Sequence, residues 1–418
     1  MNANSSQAQQ GFYGLGIAPG ILESLTQLKF TAPTPIQEKT IPLAIEGKDV
    51  VGIAQTGTGK TLAFGIPMIQ RLLQGKEQGI VVLPTRELAL QVEESLRKIG
   101  AKRGLRTVVL IGGTSIVPQK RALSSRPHIV VGTPGRINDH IQQRTLSLKN
   151  FPVVVLDEAD RMFDMGFLPQ IRAILRELPS ERQTMLFSAT MPPEIMKLAA
   201  EYMKIPVRVE IAPPGTTVEG VSQELFVVPR DQKTTLLAKL LETYKGPTLV
   251  FTRTKFGAKK VAKQIRDMGI RAAEIHSNRT LGQRREALEG FKSGRYRVLV
   301  ATDIASRGID VTGIELVLNY DLPSTPEDYI HRIGRTARAG AKGHAITFAM
   351  VSERREIRMI ERAIQKTLPP SSLPEGISFS VEPRSPQPSF SPERGGYRGG
   401  GNRRYGSRSP RSFGARGR

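Results

Sequence analysis

The sequence predicts an α/β protein with two tandem parallel-sheet domains and a disordered basic C-terminal tail. Three observations carry this prediction. Short β-branched runs alternate with helical patterns in both halves of the chain, a cluster of Pro, Gly and Thr separates the halves, and the composition from Pro369 onward is mainly Pro, Ser, Gly and Arg. Strands that alternate with helices are typical of a parallel sheet with helices on both faces.

In the first half, six apolar runs are predicted to be strands, and the helical patterns between them are predicted to cross the sheet. The runs are DVVGIA (49–54), GIVVLP (79–84), VVLIGG (108–113), HIVVGTP (128–134), VVVLDEAD (153–160) and MLFSAT (185–190). We therefore assign residues 1–211 to a first domain.

The segment 211–221 reads IAPPGTTVEGV, which cannot continue a helix or a central strand. We predict an interdomain linker at 212–220. The same rhythm returns in TLVFT (248–252), AAEIHS (272–277), RVLVATD (297–303) and LVLNYD (316–321). These runs predict a second α/β domain at 221–368.

The second domain is expected to end in a helix over 352–367, where Ile357, Ile360 and Ile364 share one face. Residues 369–418 lack the apolar area needed to offset the entropy cost of ordering, so we expect a disordered tail. Between positions 384 and 418 the tail has nine arginines against one acid. It is therefore strongly basic.

The overall charge points to a polyanionic partner. The chain has 61 Lys plus Arg against 38 Asp plus Glu, a formal net charge of +23, which favours nucleic acid. No run of about 18 apolar residues exists and no basic amphipathic helix stands out, so a membrane surface is the weaker alternative. The chain has no cysteine and its first ten residues are polar and uncharged. Disulfides and cysteine-ligated zinc are therefore excluded, and a cytoplasmic location is expected.

A glycine-rich turn, AQTGTGKT at 54–61, follows the first predicted strand and precedes an apolar helix. Its glycines allow the backbone to wrap around phosphates, its lysine supplies a charge to the β- and γ-phosphates, and its last hydroxyl suits Mg²⁺. A plain strand-to-helix turn is the alternative. Ala54 stands where the strict pattern has its first glycine. The residues predicted to bind ATP here are Thr56, Gly57, Thr58, Gly59, Lys60 and Thr61.

Four residues, Asp157-Glu158-Ala159-Asp160, follow the apolar run VVVL. A carboxylate at the end of a buried strand needs a cation or hydrogen-bond donors, which makes Asp157 a natural partner of Mg²⁺, partly through water. Glu158 is then placed to orient or deprotonate an attacking water. The alternative is a solvated helix start with Asp157 as N-cap. One nucleotide site explains both this motif and the glycine-rich turn.

Together these residues resemble the DEAD-box family of ATP-dependent RNA helicases in superfamily 2, and the resemblance covers about 12–340. It implies RecA-like domains, ATP and Mg²⁺ as cofactors, and RNA-stimulated hydrolysis of ATP. The segment PTPIQ (33–37) resembles the family's adenine-reading element. In it the amide of Gln37 pairs with the adenine edge, while Phe12 and Phe30 lie near the base. Lys29 replaces the family's usual glycine. Without the resemblance, Gln37 is a polar helix residue.

Three further segments of the first domain resemble the family's contacts with the RNA backbone. Hydroxyl, guanidinium and glycine N–H groups suit phosphates and sugars but do not distinguish bases. The residues are Pro84, Thr85, Arg86, Gly112, Gly113, Thr133, Gly135 and Arg136. Ser188 and Thr190, in the segment SAT, resemble the element that couples hydrolysis to strand separation. Ordinary turns and helix caps are the alternatives.

Two segments of the second domain, TDIASRGID (302–310) and HRIGRTARAG (331–340), resemble the rest of the nucleotide site. The resemblance makes Arg335 and Arg338 arginine fingers for the γ-phosphate. It makes His331 the link between the ATP site and the RNA site, and Asp310 the partner of the ribose hydroxyls.

Arginines at Arg332, Arg335 and Arg338 are spaced three apart and are predicted to share a face. The alternative for any one of them is a solvated basic face. Ala337 replaces the family's usual glycine.

Arg253, Thr254 and Thr302 resemble further RNA-binding positions. Two neighbouring positions depart from the family, which usually has Gln at Leu281 and Gly at Ser277.

In the tail, arginines alternate with aromatic residues at Tyr397, Tyr405 and Phe413, which suits phosphate attraction with base stacking. A solubilising or localising linker is the alternative.

The ATP-binding motifs divide between the domains, so we expect a monomer whose domains close before hydrolysis and whose ATP and RNA binding reinforce each other. The alternatives are a DNA translocase, an ATP-gated RNA clamp with little unwinding, and a structural RNA-binding protein with an inactive ATPase. The run DEADRMFDMGF and the short basic tail look most like the bacterial RhlE-like subgroup. That likeness implies ribosome assembly or RNA turnover, with ribosomal precursor or RNA-decay proteins as further partners.

Overall fold

Two parallel β-sheets, one in each half of the chain, form the framework of the structure. The computed structural model describes residues 11–55, 57–211, 220–303, 311, 313–337 and 343–374. All of them belong to one compact unit.

The first sheet has seven strands in the order β3-β4-β2-β5-β6-β1-β7. The pairings are parallel, and Val50 lies opposite both Met185 and Val207. The strands are β1 (Val50–Ile53), β2 (Gly79–Val82), β3 (Thr107–Leu110), β4 (Ile129–Gly132), β5 (Val153–Leu156), β6 (Gln183–Ser188) and β7 (Val207–Glu210).

Helices cover both faces of this sheet and divide its core in two. Along β5, Val153 and Val155 belong to one apolar cluster, while Val154 and Leu156 belong to the other. This alternation follows from the two-residue period of a strand. The helices are α1 (Pro19–Gln27), α2 (Pro35–Ile45), α3 (Lys60–Leu72), α4 (Arg86–Gly100), α5 (Ile116–Ser124), α6 (Pro134–Gln142), α7 (Ala159–Asp164), α8 (Leu168–Glu177) and α9 (Pro193–Tyr202), with a 3₁₀ turn at Ala101–Arg103.

The second sheet has six parallel strands in the order β10-β11-β9-β12-β13-β8. They are β8 (Val221–Val227), β9 (Thr248–Phe251), β10 (Ala272–Ile275), β11 (Val298–Ala301), β12 (Leu316–Asn319) and β13 (Gly343–Ala349). The helices around it are α10 (Lys233–Thr243), α11 (Lys255–Asp267), α12 (Leu281–Lys292), α13 (Pro326–Ile333) and α14 (Arg354–Ile364), with a 3₁₀ turn at Val351–Glu353. The predicted fold class, two parallel-sheet α/β domains, is confirmed.

All ten predicted strands are present, and three further strands, β7, β8 and β13, were missed. β7 (VRVE) is half exposed and alternates charge with valine at a sheet edge. β8 (VSQELFV) is an edge strand of the second sheet and carries polar residues. β13 (GHAITFA) begins with glycine and histidine. None of the three has the continuous β-branched run of a central buried strand.

The end of the second domain differs from the prediction in two ways. The chain beyond α14 stays ordered past Pro369, because Pro370 bridges to Leu225 and the backbone N–H of Ser371 donates to the Leu225 carbonyl at 2.7 Å. The predicted tail boundary is therefore too early, and residues 375–418 lie outside the described part. α14 is also a basic amphipathic helix, which the sequence reasoning missed, and its residues Ile360 and Ile364 are buried. Of the predicted linker, only Gly220 is described.

Within the described ranges, no helix has both the length and the apolar character needed to cross a membrane.

Candidate active site

A cavity of about 610 Å³ lies beyond the carboxyl ends of the central strands of the first sheet. Ligands of open parallel sheets gather at this edge, where loops and helix N-termini point their N–H groups. Both domains line the cavity. The predicted site residues among its lining are Phe30, Gln37, Gly57, Gly59, Lys60, Thr61, Asp157, Glu158 and Arg335.

The glycine-rich turn needs glycine at two described positions. Gly57 and Gly59 adopt φ of +87° and +89°, a region that residues with a side chain rarely enter. α3 begins directly after Gly59, so the unpaired N–H groups of its first turn are available to an anion. The Lys60 ammonium is buried and donates to the Ala54 carbonyl at 2.8 Å. The Ala54 side chain packs in the first-domain core and Ala54 has no positive φ, so this position does not require the glycine of the strict pattern.

Gln37 links α2 to the glycine-rich turn. Its Oε1 accepts from the backbone N–H of Thr34 at 3.0 Å, and its Nε2 donates to the Gly59 carbonyl at 3.0 Å. One N–H and one oxygen lone pair of the amide remain for a ligand. Of the two aromatic residues predicted near the base, Phe30 lines the cavity and is 41% exposed. Phe12 is buried in the first-domain core and is not among the lining residues.

The acidic motif lies opposite the glycine-rich turn. Asp157 is 3% exposed, and its Oδ1 accepts from the backbone N–H of Glu158 at 2.9 Å. Burial, with a smaller contribution from the charge of the neighbouring Glu158, raises the pKa of Asp157 to about 7 against the opposing charge of Lys60. A buried carboxyl with this raised pKa is one that a cation would ionise. Glu158 adopts φ +53° and pairs with the buried Arg161.

Among the described residues, no group of three or more His, Cys, Asp or Glu side chains is arranged to hold a metal ion. A magnesium ion that takes most of its ligands from phosphates and water does not need such a group. The carboxyl of Asp157 and the hydroxyl of Thr61 line the same cavity, and both are oxygen donors of the kind that Mg²⁺ prefers. The residues present therefore fit this ion.

Asp160 joins the acidic motif to the segment SAT. Its Oδ2 accepts from the N–H of Ala189 (3.0 Å), the N–H of Thr190 (2.9 Å) and the Thr190 hydroxyl (3.1 Å). The Asp160 N–H donates to the Ser188 hydroxyl at 3.1 Å. SAT is therefore not the N-cap of the following helix, since α9 begins later, after Pro192. The Ser188 hydroxyl instead accepts from an N–H of the first turn of α7.

Burial alone would raise the pKa of Asp160, but the charges of His331, Lys60 and Arg161 outweigh burial and lower it. His331 belongs to the second domain, so part of the charge that lowers the pKa of Asp160 comes from across the cleft.

Arg335 is the second domain's contribution to the cavity. It lies just beyond α13, is 4% exposed, and its Nε donates to the His331 carbonyl at 3.2 Å. Arg332 has a different environment. Its guanidinium forms a two-pronged pair with Asp303 at 2.5 and 2.7 Å and lies 4.9 Å from the Phe251 ring centroid. Arg332 is thus a buried structural cation. The predicted site residues Thr56, Asp310 and Arg338 lie outside the described residues.

The predicted RNA contacts of the first domain cluster at the start of two helices. Thr85 caps α4 by accepting from the Leu88 N–H at 3.3 Å, Thr133 precedes α6, and both follow neighbouring strands. The Arg86 guanidinium packs over Gly113, where an added Cβ would lie 1.9 Å from its Nη1. Burial, followed by the charge of Arg284, lowers the pKa of Arg86.

The other members of this cluster are Arg136, Gly135, Gly112 and Pro84. Arg136 donates to the Thr114 carbonyl at 3.2 Å. A Cβ built on Gly135 would meet nothing within 4 Å, while one on Gly112 would lie 3.4 Å from Arg86. Pro84 directly precedes the Thr85 cap.

In the second domain, the predicted RNA contacts also lie at strand ends. Thr254 caps α11 by accepting from the Gly257 N–H at 3.0 Å, and the N–H of Thr302 donates to the Ile275 carbonyl at 3.3 Å. The Arg253 side chain lies 3.6 Å from Glu353.

Two interdomain contacts were missed by the sequence reasoning. Arg284 of α12 pairs with Glu87 of α4 at 2.9 Å, and both side chains are nearly buried. Leu281 packs against the apolar cluster of the first domain. The charge pattern of each helix alone gives no signal for this pairing, because it depends on how the domains meet.

Comparison with known proteins places this geometry in a family. A family model described as "DEAD/DEAH box helicase" matches residues 34–198, and one described as "Helicase conserved C-terminal domain" matches 232–340. The chain is 45% identical over 367 residues to the ATP-dependent RNA helicase CshA of Listeria monocytogenes, covering 87% of this chain and 70% of the relative.

Two further similarities extend this result. The chain is 42% identical over 369 residues to the ATP-dependent rRNA helicase RRP3 of Debaryomyces hansenii, covering 87% of this chain and 77% of the relative. The structure of S. cerevisiae Dbp5 bound to RNA and ADP BeF3 matches with a TM-score of 0.78 and 28% identity, covering 86% of this chain and 96% of that chain.

Proposed function

Because the chain belongs to the DEAD-box family of ATP-dependent RNA helicases, we propose that the cavity between its two RecA-like domains is where ATP is bound and hydrolysed. The family activity is RNA-stimulated hydrolysis of ATP coupled to unwinding of RNA. One observation carries the proposal: Arg335 of the second domain lines the same cavity as Lys60, Asp157 and Glu158 of the first. Neither domain holds a complete site.

The first domain binds the triphosphate and the adenine base. The N–H groups at the start of α3 and the residues Thr56, Gly57, Thr58 and Gly59 wrap the phosphates. Lys60 exchanges its hydrogen bond with the Ala54 carbonyl for a phosphate oxygen. Gln37 reads the adenine edge with the N–H and lone pair that its internal bonds leave unused, and Phe30 contacts the base. Phe12 supports the core instead.

Asp157 and Thr61 would hold Mg²⁺, which would neutralise charge on the β- and γ-phosphates. Glu158 orients or deprotonates the attacking water, and its pairing with Arg161 fixes the direction of its carboxylate. Arg335 and Arg338 neutralise the γ-phosphate from the second domain, and Asp310 holds the ribose hydroxyls.

RNA binds along the carboxyl ends of both sheets through groups that contact phosphates and sugars. The residues proposed are Pro84, Thr85, Arg86, Gly112, Gly113, Thr133, Gly135, Arg136, Arg253, Thr254 and Thr302. These groups do not read bases, so binding is independent of sequence. The link from SAT through Asp160 to His331 couples the two sites. ATP and RNA therefore favour the same closed state.

Replacement of Arg335 tests the composite site. Removal of an arginine finger costs about 10³ to 10⁵ in turnover, so Arg335→Ala should abolish RNA-stimulated phosphate release while the melting temperature stays near that of the wild type. Arg295→Ala is the matched control, because this arginine of the same domain is exposed and pairs with Glu286 outside the cavity. A melting temperature that falls as sharply as turnover would make Arg335 a structural residue.

We further propose that the protein acts in ribosome assembly or RNA turnover as a member of the RhlE-like subgroup. A similar relative is named an rRNA helicase, and the basic sequence suits long RNA. Crosslinking of RNA to the protein in cells tests this assignment, and recovery of RNA that is neither ribosomal precursor nor a decay intermediate would reject it. Cytoplasmic location and a monomeric state remain predictions.

Two alternatives are separated by direct assays. A DNA translocase would be activated as strongly by DNA as by RNA. An ATP-gated clamp would bind RNA in an ATP-dependent way but would fail to unwind duplexes in multiple turnovers.

A further inference from the structure

One exposed face of α14 carries a row of cations that the proposed function does not use. Arg354, Arg358 and Arg362 are spaced four apart, and Lys366 continues the row just beyond the end of the helix. All four side chains are exposed. Residues four apart are about 6 Å apart along a helix, so the three arginines form a continuous arginine stripe, and Lys366 lines a pocket together with Arg358 and Arg362 at its end.

The acidic residues of the same helix do not neutralise the stripe. Glu361 turns toward the end of the helix, where its Oε1 accepts from the Leu368 N–H at 2.8 Å, and one carboxylate oxygen of Glu356 is buried. None of the ion pairs found within the described part of the chain includes a cation of the stripe. Other exposed helices differ, since Arg97, Lys98 and Arg285 each pair with a glutamate four residues away.

Packing of α14 explains its apolar face but not its cationic one. Ile360 and Ile364 are buried in the second domain, and this contact requires no charge on the opposite side. Like charges at four-residue spacing destabilise a helix, so neutral polar residues would suit an unliganded surface better. The guanidinium group binds phosphate through two parallel hydrogen bonds. A row of unpaired arginines therefore indicates an anionic ligand with repeated charges.

The position of the stripe indicates which ligand. Glu353, directly before Arg354, lies 3.6 Å from Arg253, one of the proposed RNA contacts. A groove of about 580 Å³ lies beside the stripe and is lined by Arg354, Arg355, Arg358 and Arg362 together with Val351 and Met359. At its other end, the chain leads toward the arginine-rich residues 384–418.

We propose that the arginine stripe binds the phosphate backbone of the RNA that flanks the segment held between the two domains. This inference rests on the proposed RNA contact at Arg253, from which the stripe extends outward. Contacts of guanidinium groups with phosphates do not read the bases, so the stripe holds any sequence. A lipid surface fits less well, because Ile360 and Ile364 of α14 are buried and cannot insert, which leaves Met359 as the exposed large apolar side chain of this helix.

The test neutralises the stripe in the full chain with Arg354→Gln, Arg358→Gln and Arg362→Gln. RNA affinity is measured with a long single strand of about 30 nucleotides and a short one of about 8, which lies within the site size of one binding groove. We expect the Kd for the long strand to rise about tenfold and its log–log salt slope to flatten by about 2. The Kd for the short strand and kcat at saturating RNA should not change. The melting temperature should equal or exceed that of the wild type, because repulsion along the helix is relieved.

Lys76→Gln, Lys149→Gln and Lys245→Gln provide a matched control. These exposed lysines precede the amino ends of β2, β5 and β9, whereas the cavity lies beyond the carboxyl ends of the strands. Their replacement removes the same number of charges. Equal weakening by the control would show a general effect of net charge and overturn the proposal. An unchanged Kd for the long strand would overturn it too. Loss of binding to phosphatidylserine vesicles with unchanged RNA affinity would assign the stripe to a lipid surface.

These outcomes stay separate from the proposed function. If the wild-type protein bound the short strand without any dependence on ATP, the cleft assignment would fail. An effect confined to the long strand concerns the stripe alone.

Discussion

At the scale of single residues, two of the departures from the family's usual glycine prove informative. Lys29 and Ala337 replace glycine, and the structure gives them φ of +62° and +53°. The backbone therefore keeps the left-handed conformation that glycine adopts freely, and the side chains occupy it at a cost. The sequence could show that these positions were unusual. It could not show that the fold would impose the conformation regardless.

Replacement of Lys29 by glycine should stabilise the protein. A left-handed conformation costs a residue with a side chain about 1–2 kcal/mol, and the extra freedom of glycine in the unfolded chain offsets about 0.5–1 kcal/mol of the gain. Because Lys29 is exposed, little packing is lost. Thermal unfolding should show a small rise in melting temperature for Lys29→Gly. Lys29→Ala is the control and should show none, since alanine has the same backbone cost. Equal melting temperatures for the two variants would refute this explanation.

The raised pKa of Asp157 predicts a pH-dependent stability. Its pKa is about 7 in the folded protein against 3.8 for an unperturbed carboxyl. The folded state therefore binds this proton more tightly. The associated stability is complete below pH 3.8, is lost as the pH rises toward 7, and is absent above it.

Asp157→Asn should remove this loss. The variant should gain in melting temperature over the wild type, and the gain should be larger at pH 8 than at pH 5.5 by about 2–4 °C, on the order of 1 kcal/mol. Saturating Mg²⁺ with ATP should raise the melting temperature of the wild type at pH 8 much more than that of the variant. A gain that is the same at both pH values would show that the carboxyl is not ionising in this range.

At the scale of elements, the sequence predicted what repeats locally and missed what depends on distant partners. The central strands were found because a buried parallel strand is a continuous apolar run. The edge strands β7 and β8 lack that signal. The segment SAT was as well explained by a helix cap, and only its three hydrogen bonds to Asp160 distinguish the two. The basic face of α14 became evident once its isoleucines were seen to pack inward.

Replacement of Gly59 tests how α2, α3 and the glycine-rich turn pack together. A Cβ at this position would lie 2.2 Å from Gln37 Nε2, and the φ of +89° would add backbone strain. Gly59→Ala should therefore displace Gln37, lower ATP affinity at least about tenfold and reduce the melting temperature by several degrees. Nucleotide titration and thermal unfolding measure both effects.

Gly135→Ala is the control for this junction. It lies in the first turn of α6, has no positive φ, and a Cβ there would meet nothing within 4 Å. Its ATP affinity should match the wild type, and its melting temperature should not fall. Retention of full ATP affinity by Gly59→Ala would show that the turn can rearrange without Gln37.

At the scale of the whole molecule, the site exists only where the two domains meet. The sequence indicated this division, because the phosphate-binding turn and the arginine fingers lie in different halves of the chain. It did not indicate what holds the halves together. In the structure, Leu281 packs on the first-domain core, and Arg284 pairs with Glu87 in a nearly buried contact. Leu281 stands where the family usually has Gln, so this chain has an apolar contact across the cleft at that position.

An apolar contact across the cleft stabilises the closed state even without ligands. Leu281→Gln should therefore lower the closed population, and loss of about 1 kcal/mol of burial corresponds to about fivefold. RNA affinity without nucleotide should weaken by about that factor. Affinity with a non-hydrolysable ATP analogue should change less, because the analogue already drives closure. The ATP–RNA coupling factor should consequently rise, and linkage requires the same rise in the effect of RNA on ATP affinity.

Fluorescence anisotropy of labelled RNA with and without analogue measures the factor. Met268→Gln, an exposed apolar position at the end of α11, should leave it unchanged. If Leu281→Gln lowered the factor, the contact would belong to the ligand-bound state rather than to closure itself.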